Sequence, residues 1–291
     1  MDWMFIINPV AGKGKGRIIA QQIHQFMKDK VIPYDIRFTR YKGDGEILAK
    51  EAVIRGCSTI IAVGGDGTIY EVINGMGLKT AALGIVPSGT GNDLAKTLGI
   101  PKSPMKALKI IYGGHKVIID CGQANGRYFL NVASVGLDAE IVKETENIKK
   151  YIKGPSAYAV GVLKTLLHFR NKEILLEIDG IQIKRQIMLV AVANGRYYGG
   201  GMKIAPQAEI EDGYFDICII NRISKGKLLR LFPTIFSGEH MKIKEVELIR
   251  GKIIKISGIE RLMLNVDGDI VGEAPVSIEI YRGGIEVFVP Q

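Results

Sequence analysis

Cysteine and histidine, which commonly serve in metal sites, covalent crosslinks or proton transfer, are scarce in this sequence. Its 291 residues include three cysteines and four histidines. Because Cys57, Cys121 and Cys218 lie far apart in the sequence, neither a disulfide framework nor a CxxC metal site is predicted. The histidines form no HExxH pattern, so the sequence does not indicate a zinc enzyme.

Long hydrophobic runs are also missing. The longest apolar stretches, such as IMLVAVA at 187–193, have the length of a strand, whereas a membrane-spanning helix needs about 18 apolar residues. The N-terminus enters a predicted strand at once and has no signal-peptide layout. We therefore expect a cytoplasmic protein whose contact with a membrane is peripheral, at the inner face.

Acidic residues are outnumbered by basic ones. There are 39 Lys and Arg against 30 Asp and Glu, which gives a formal charge of +9. This surplus favours an anionic partner such as a nucleotide, a lipid headgroup or nucleic acid, although a lysine-rich solvated surface would produce it as well. Because the chain lacks a known nucleic-acid reading motif and only 7% of its residues are aromatic, we expect no nucleic-acid partner.

Two glycine-rich turns are the strongest functional signal. They read GGDGT at 64–68 and PSGTGND at 87–93, and they follow the apolar runs 59–63 and 82–86. Such runs are typical of buried parallel strands, so both turns join a strand to a helix. These loops meet at the carboxyl edge of an open sheet, where glycine amides and helix N-termini bind phosphates. A single glycine turn has a purely structural explanation, but two matched turns indicate a nucleotide site.

Each of these turns contains a carboxylate, Asp66 in the first and Asp93 in the second. A carboxylate beside bound phosphates repels them unless a cation lies between the two. Asp66 and Asp93 therefore suggest bound Mg²⁺ or a charge network that includes a lysine. Lys13 lies in a further glycine loop, NPVAGKGKG at 8–16, which has neither the Walker A nor the Rossmann spacing.

The periodicity of the chain changes near residue 115. Alternating strand and helix patterns over residues 1–115 predict an α/β nucleotide-binding domain with a doubly wound, mostly parallel sheet. Period-two strands over residues 116–291 predict an antiparallel β-sandwich domain. The predicted elements of the second domain include strands at 128–133, 262–267, 276–281 and 285–289 and helices at 157–169 and 225–236.

Further motifs extend these loops along nearly the whole chain. The motifs are NPVAGKG at Asn8, GGDGTIYEVING at Gly64, PSGTGND at 87–93, NVASVGLDAEIV at Asn131, ANGRYYGGGMKIAPQAEIEDGYFD at Ala193 and VDGDIVGEAP at Val266. Together they resemble the diacylglycerol kinase catalytic-domain family, which includes soluble bacterial lipid kinases and the sphingosine and ceramide kinases. The resemblance implies an NAD kinase/diacylglycerol kinase-like fold with ATP bound in the cleft between the two domains.

The resemblance also implies roles for individual residues in the N-terminal domain. It implies that a network joins Lys13, Asp66 and Asp93 through Mg²⁺ or water, and that a lipid hydroxyl accepts the γ-phosphoryl group. The implied nucleotide contacts are Asn8, Pro9, Val10, Ala11, Gly12, Thr39, Gly64, Gly65, Asp66, Gly67, Thr68, Glu71, Ser88, Gly89, Thr90 and Asn92.

The family's late DGE turn, which supplies the general base, reads Asp267, Gly268, Asp269 in this chain. The resemblance implies that Asp267 accepts the proton of the lipid hydroxyl. Asp269 is one methylene shorter than the family's Glu, so we expect any contact it makes with metal or nucleotide to be indirect. A DGD sequence is also well suited to an ordinary hairpin turn, which is the structural alternative.

A structural Mg²⁺ site in the second domain is implied as well. The family's DDG segment corresponds to Glu211, Asp212 and Gly213, and the matching ligands are the Asp212 side chain and the backbone carbonyls of Glu209 and Tyr214. Oxygen ligands suit this hard cation. Because Glu replaces the first Asp of the family pattern, an ordinary turn is the alternative.

These features together predict an ATP- and Mg²⁺-dependent lipid kinase that acts on diacylglycerol or a related lipid. The alternatives are an NAD kinase, which shares the GGDGT motif, and a nucleotide-binding regulatory protein without transfer activity. The PSGTGND and DGD loops favour the lipid kinases over the NAD kinases.

A lipid acceptor requires access to a bilayer. The segments 143–172 and 222–255 combine lysines with large apolar residues and are predicted to contact the membrane, unless their helices simply pack on the sandwich. The segment 194–203 is expected to line the cleft, because its glycines permit a close approach. The sequence leaves a homodimer open.

Overall fold

The computed structural model describes residues 2–148, 165 and 169–291. Its N-terminal part alternates strands and helices. The strands are β1 (Trp3–Ile7), β2 (Tyr34–Phe38), β3 (Thr59–Gly64) and β4 (Ala82–Pro87). The helices are α1 (Ala11–Gly14), α2 (Gly16–Met27), α3 (Asp44–Ile54), α4 (Asp66–Met76), α5 (Asp93–Thr97) and α6 (Pro104–Gly113).

The N-terminal strands form a parallel sheet in the order β4-β3-β1-β2. The chain runs outward from β1 to β2 and then returns to the other side of β1 to form β3. The strand order therefore reverses between β1 and β3, and the loops after these strands leave a crevice between them. This switch point is where ligands bind in open α/β sheets.

The second part of the chain is an antiparallel β-sandwich, so the predicted fold class is confirmed. Its strands are β5 (Lys116–Ala124), β6 (Arg127–Phe129), β7 (Val132–Gly136), β8 (Lys172–Ile178), β9 (Ile181–Ala193), β10 (Phe215–Asn221), β11 (Val246–Gly251), β12 (Ile253–Gly258), β13 (Met263–Val266), β14 (Asp269–Glu273) and β15 (Val276–Phe288). The described helices are α7 (Leu137–Ile148), α8 (Lys225–Leu231) and α9 (Thr234–Ser237), followed by a 3₁₀ turn at Glu239–Lys242.

The last strand connects the two parts of the molecule. Val287 of β15 pairs in parallel with Leu83 of β4, while most of β15 pairs antiparallel with β5. Ile285 and Val287 consequently belong to the core of the N-terminal sheet. A second core fills the sandwich, where the rings of Phe129 and Phe215 stack with centroids 5.7 Å apart. The end of the chain thus stabilises the sheet that carries the glycine loops.

Three local differences from the sequence prediction are informative. The strand predicted at 128–133 is two strands, β6 and β7, separated at Leu130 and Asn131. The strands predicted at 276–281 and 285–289 are one strand, β15, with a register shift between Tyr281 and Ile285. The hairpin strand β14 was not predicted. The helix predicted at 157–169 lies largely outside the described residues.

Side chains of α3 and α4 bind the N-terminal sheet unit to β6. Arg127 donates two hydrogen bonds to Glu46, at 3.0 and 2.6 Å, and one to the Tyr70 hydroxyl at 3.1 Å. Asn74 exchanges hydrogen bonds with the backbone of Tyr128, at 2.9 and 3.0 Å. A bidentate pair of this kind fixes orientation as well as distance. It positions the segment after β6 relative to α4.

Within the described residues, no helix combines the length and the hydrophobicity needed to cross a bilayer.

Candidate active site

Three glycine-rich loops meet at the carboxyl edge of the parallel sheet. The turn after β1 contacts the loop after β4, because a Cβ built on Gly12 would lie only 2.3 Å from the Ser88 carbonyl oxygen. The loops after β3 and β4 also touch, since a Cβ on Gly89 would lie 2.4 Å from the Gly65 Cα. The side-chain amide of Asn8 lies 3.4 Å from the Thr68 hydroxyl oxygen, to which it donates. The predicted convergence of these loops therefore holds.

Gly12 makes the closer of these two contacts between loops. Its φ of +59° lies in the left-handed region, and the space for a side chain is filled by backbone. We expect Gly12→Ala to displace the turn and to raise the nucleotide Kd by about tenfold or more, which corresponds to about 1.4 kcal/mol. Isothermal titration calorimetry checks the change in affinity.

Gly14→Ala is the matched control for this substitution. Gly14 has a φ of +81°, but nothing lies within 4 Å of the Cβ it would gain. The control shares the backbone strain of Gly12→Ala and lacks its collision. Equal losses in the two variants would attribute the effect to backbone strain alone.

The carboxylates of Asp66 and Asp93 lie side by side at the start of α4 and α5. Oδ1 of Asp66 accepts hydrogen bonds from the backbone N–H of Asp93 at 2.7 Å and of Leu94 at 3.2 Å. Burial, and then the charge of Asp93, raise the pKa of Asp66 above its ordinary value. No hydrogen bond from another described residue reaches Oδ2 of Asp66, which leaves this oxygen available to a cation or a donor.

The lysine that contacts this carboxylate pair is Lys96. Its Nζ lies 3.0 Å from Asp93 Oδ1, one helical turn along α5. Lys13, which the sequence placed in the network, is exposed and forms no ion pair with any residue that the structure describes. Lys96 was missed although it has the i,i+3 spacing from Asp93 that brings side chains together on a helix.

The sandwich domain also contacts Asp93. The backbone N–H of Gly200 donates to Asp93 Oδ2 at 2.7 Å. Gly200 has a φ of +90°, which aims the amide of this triple-glycine turn at the carboxylate. The segment 194–203 thus meets the PSGTGND loop, in agreement with the prediction that it lines the cleft.

Asp267 follows β13 in a left-handed conformation, with a φ of 47°. Its carboxylate accepts backbone N–H groups from the interruption between β6 and β7. Leu130 donates to Oδ2 at 3.0 Å, while Asn131 and Val132 donate to Oδ1 at 3.1 and 2.9 Å. A carboxylate has about four acceptor positions. The Oδ1 positions are filled, and Oδ2 has only the longer 3.4 Å approach of Asn131 at its second position.

The pKa of Asp267 is unusual for a carboxyl group. Burial raises this pKa to about 7, while the amides of Leu130 and Val132 oppose the rise and the charge of Asp66 contributes to it. The last effect requires Asp66 and Asp267 to lie within electrostatic reach of each other. Asp66, with its neighbour Asp93, therefore lies near enough to Asp267 to influence its charge, and a carboxyl group with a pKa near neutrality is suited to proton transfer.

Asp269, two residues further along, faces the N-terminal domain. It forms an ion pair with Lys42, in the loop between β2 and α3. Glu71 of α4 holds the same loop, because its carboxylate accepts the N–H groups of Gly43 at 2.8 Å and Gly45 at 3.0 Å. The Glu71 side chain thus positions a loop at the cleft. Lys42 was missed because its partner is 227 residues away in the sequence.

The remaining predicted nucleotide contacts lie around the same loops. Thr39 follows β2 and is buried, and its N–H donates to the Ile7 carbonyl at 2.9 Å. The side chain of Asn92 braces the loop by exchanging hydrogen bonds with the backbone of Gly89, at 2.8 and 2.9 Å. Ser88 Oγ is buried without a partner among the described residues. The other predicted nucleotide contacts belong to the same three glycine-rich loops. They are Pro9, Val10, Ala11, Gly64, Gly65, Gly67, Thr68, Gly89 and Thr90.

The predicted structural Mg²⁺ ligands lie elsewhere, on the sandwich. Asp212 forms an ion pair with Arg250 and accepts the N–H of Tyr214 at 2.9 Å. Tyr214 is 37% exposed, and Glu209 is also exposed. No group of three or more His, Cys, Asp or Glu side chains among the described residues is arranged to hold a metal ion. A metal at Asp212 stays a prediction.

A buried polar cluster next to Asp267 was not predicted. Asp138 at the start of α7 accepts a hydrogen bond from Ser134 of β7, and Asn265 of β13 donates to both, at 3.2 Å to Ser134 and 3.3 Å to Asp138. Burial raises the pKa of Asp138. The cluster joins β13, the strand before Asp267, to β7, whose first residue Val132 donates its N–H to Asp267. It stabilises the arrangement of these two strands.

Comparisons with known proteins agree with this geometry. The model of the diacylglycerol kinase catalytic domain matches residues 2–124, and the model of the YegS C-terminal NAD kinase beta sandwich-like domain matches residues 131–289. A diacylglycerol kinase of Staphylococcus carnosus (strain TM300) is 32% identical over 288 residues, 98% of this chain and 94% of the relative. A diacylglycerol kinase of Bacillus subtilis (strain 168) is 33% identical over 290 residues, 98% and 95% of the two chains.

The chain belongs to the diacylglycerol kinase family. It is therefore a lipid kinase, and the resemblance seen in its motifs is confirmed. The crystal structure of a provisionally assigned diacylglycerol kinase from Bacillus anthracis (strain Sterne) superposes with a TM-score of 0.81 at 26% identity and covers 99% of this chain and 97% of its own. Membership of the diacylglycerol kinase family extends over both halves of the molecule.

Proposed function

We propose that the protein transfers the γ-phosphoryl group of ATP to the hydroxyl group of diacylglycerol or a related lipid, giving phosphatidic acid or its analogue. One observation carries the proposal. Asp267, with a raised pKa and an incompletely filled Oδ2, lies within electrostatic reach of Asp66 among the glycine loops. The relatives that match over nearly the full length are diacylglycerol kinases, which supports diacylglycerol as the acceptor.

The glycine loops are suited to a triphosphate. Gly67 is exposed in the first turn of α4, where helical N–H groups lack partners within the helix and the helix dipole favours negative charge. The unpartnered Ser88 Oγ is a further donor beside the turn after β1. These donors support binding of ATP at the switch point of the sheet.

The residues around Asp66 fit a Mg²⁺ ion. Two neighbouring carboxylates supply the oxygen ligands this cation prefers. Burial is the main cause of the raised pKa of Asp66, and the charge of Asp93 adds a repulsion that a cation would relieve. Asp66, through its Oδ2, would hold the ion, and Lys96 adds a fixed positive charge at Asp93. Bound Mg²⁺ would neutralise charge on the phosphoryl oxygens.

Asp267 would act on the lipid. The acceptor hydroxyl donates a hydrogen bond to Oδ2, and its proton passes to this oxygen while the lipid oxygen bonds to the γ-phosphorus. The bond between the γ-phosphorus and the bridging oxygen breaks, and ADP leaves. The amides of Leu130, Asn131 and Val132 hold the carboxylate in place throughout. Most of the remaining catalysis is positioning and charge neutralisation.

The test is a labelled-ATP assay with a panel of lipids in mixed micelles, and with NAD as a control acceptor. We expect label in phosphatidic acid or a related phospholipid and none in NADP. Phosphorylation of NAD in place of every lipid would overturn the proposal. Mixed micelles hold the surface concentration of each lipid constant, so that acceptors are compared directly.

The pH dependence of transfer follows from the pKa of Asp267. A base acts only when deprotonated, and the pKa of this carboxyl is raised to about 7. We expect kcat/KM to be maximal above this pKa and to fall about tenfold for each pH unit below it. Nucleotide affinity measured over the same pH range controls for loss of binding. A transfer rate that stays constant through neutral pH would contradict the role of Asp267 as the base.

A further inference from the structure

One surface of the sandwich domain combines basic and apolar groups in a way that the active site does not explain. Residues 222–244, here called the basic helical surface, contain α8, α9 and the 3₁₀ turn that follows. They include six Lys or Arg and one Glu, and the next residue, Glu245, pairs with Lys227 at 2.7 Å. Six cations and these two carboxylates leave a net charge of +4, which attracts an anionic partner.

Large apolar side chains on this surface point away from the core. Leu229 is 46% exposed and Phe236 is 47% exposed, while their neighbours Leu228 and Ile235 are buried in the core beneath the helices. Arg230 is exposed beside Leu229, and the side chain of Lys242 is 81% exposed. Exposed apolar residues rimmed by cations are typical of helices that lie in a membrane interface.

A cavity at one end of the basic helical surface has the same mixed character. It has a volume of about 340 Å³ and lies at the start of α8. Its polar lining residues include Arg222, Ser224 and Lys225, and its apolar ones include Phe169, Met188 and Leu228. No carboxylate is among its described lining residues. A phosphate group with the glycerol and the first carbons of an acyl chain matches this mixed composition.

One loop contacts both the basic helical surface and the active site. Lys203 N–H donates to the Ile235 carbonyl at 2.9 Å, and the buried His240 ring lies 3.2 Å from the Ile204 carbonyl oxygen. In the same loop, the N–H of Gly200 donates to Asp93 at 2.7 Å. A few residues of one loop therefore connect this surface to the carboxylates of the site.

We propose that the basic helical surface docks the enzyme on an anionic bilayer, and that the cavity beside Arg222 binds the headgroup of an anionic phospholipid. The inference rests on the proposed function, because a diacylglycerol acceptor stays within a bilayer. Charge complementarity selects an anionic leaflet, and Leu229 and Phe236 would enter its interfacial region. Of the two segments predicted to contact the membrane, 222–255 includes this surface, and 143–172 lies largely outside the described residues.

The experiment compares binding of the full chain to vesicles of phosphatidylcholine alone and of phosphatidylcholine mixed with phosphatidylglycerol, by sedimentation at several salt concentrations. The test variant carries Arg222→Glu, Arg230→Glu and Lys242→Glu. The control variant carries Lys50→Glu, Lys102→Glu and Lys109→Glu, which make the same charge change at exposed lysines of the N-terminal domain. A third variant, Leu229→Ala with Phe236→Ala, alters only exposed apolar groups.

We expect the test variant to lose about tenfold or more of its binding to the anionic vesicles, and the control variant to bind nearly as the wild type does. The wild type should bind more weakly as salt increases. The apolar variant should lose the part of vesicle binding that the wild type keeps at high salt. Equal losses in the test and control variants, or wild-type binding by the test variant, would overturn the proposal.

Activity measurements separate this inference from the proposed function. On a short-chain diacylglycerol dispersed as monomers, the test variant should turn over like the wild type, and on diacylglycerol in anionic vesicles it should be slower by about the loss in binding. A wild type that binds vesicles and phosphorylates neither substrate would end the proposed function and leave the docking surface standing. If light scattering shows that the test variant dissociates a dimer without altering vesicle binding, the surface joins two copies and the docking proposal fails.

Discussion

We expect Asp267→Asn to lower the rate of phosphoryl transfer by about 10²- to 10⁴-fold, the range that a positioned general base contributes. The amide has nearly the shape of the carboxylate, and Asn tolerates the left-handed φ of 47° at this position. It cannot take the proton of the lipid hydroxyl. Nucleotide affinity should change little, because the glycine loops lie in the other domain. Single-turnover rates and nucleotide titrations measure the two effects separately.

Asp179→Asn is the matched control. Asp179 also has a left-handed φ, of 48°, and its carboxylate also accepts backbone N–H groups, from Lys252 at 3.0 Å and Ile253 at 2.9 Å. It lies in the turn between β8 and β9 and has no predicted part in the chemistry. The control reports what the loss of such a carboxylate does to the fold. Similar rate losses in both variants, or normal transfer by Asp267→Asn, would mean that the DGD turn is structural and not catalytic.

The fold was predictable because local sequence patterns agree with the three-dimensional arrangement. Apart from Thr59, the runs at 59–63 and 82–86 contain no polar side chain, as is typical of buried parallel strands, and the structure places them in β3 and β4. Glycine-rich turns follow both strands and precede helices. Local and global preferences that agree in this way specify a fold strongly.

The interruption at Leu130 and Asn131 was not predictable from pattern alone. Residues 128–133 read as one continuous strand, yet the backbone turns there so that its amides reach Asp267, 135 to 137 residues away. Strand propensity describes local fit to a pleated surface. It contains no information about a carboxylate that arrives from the far end of the chain.

The loops of the candidate site were predicted better than their partners. The glycine and aspartate positions of the turns after β3 and β4 follow from motif and spacing. The cation on Asp93 is Lys96, at 3.0 Å, and the amide on its other oxygen comes from Gly200. The Gly200 contact depends on how the two domains pack, which motif spacing does not describe. The i,i+3 relation of Asp93 and Lys96 was the one local signal for this pair.

Asp66→Asn should separate the charge of this residue from its anchoring role. The variant retains an oxygen that accepts the N–H groups of Asp93 and Leu94, so the loop should stay folded. It lacks the negative charge that repels phosphates and binds a cation. We expect nucleotide affinity to depend much less on Mg²⁺ than in the wild type, and transfer to slow by about 10²-fold or more. Calorimetric titrations with and without Mg²⁺ give the first quantity.

Asp66→Ala is the comparison that removes both roles. It loses the two hydrogen bonds that the Asp66 side chain accepts, so its free energy of unfolding should be lower than that of Asp66→Asn by about 1.5 kcal/mol or more. Its melting temperature should be lower as a result. Equal Mg²⁺ dependence in the wild type and both variants would remove Asp66 from cation binding.

The pH profile of Asp66→Asn provides an independent check on the proximity of Asp66 and Asp267. The charge of Asp66 contributes to the raised pKa of Asp267, so its removal should lower that pKa. Residual transfer by the variant should then persist to lower pH than in the wild type, because the base stays deprotonated further into the acidic range. A profile with an unchanged midpoint would mean that the two carboxylates do not sense each other. The assignment of both to one catalytic site would then be wrong.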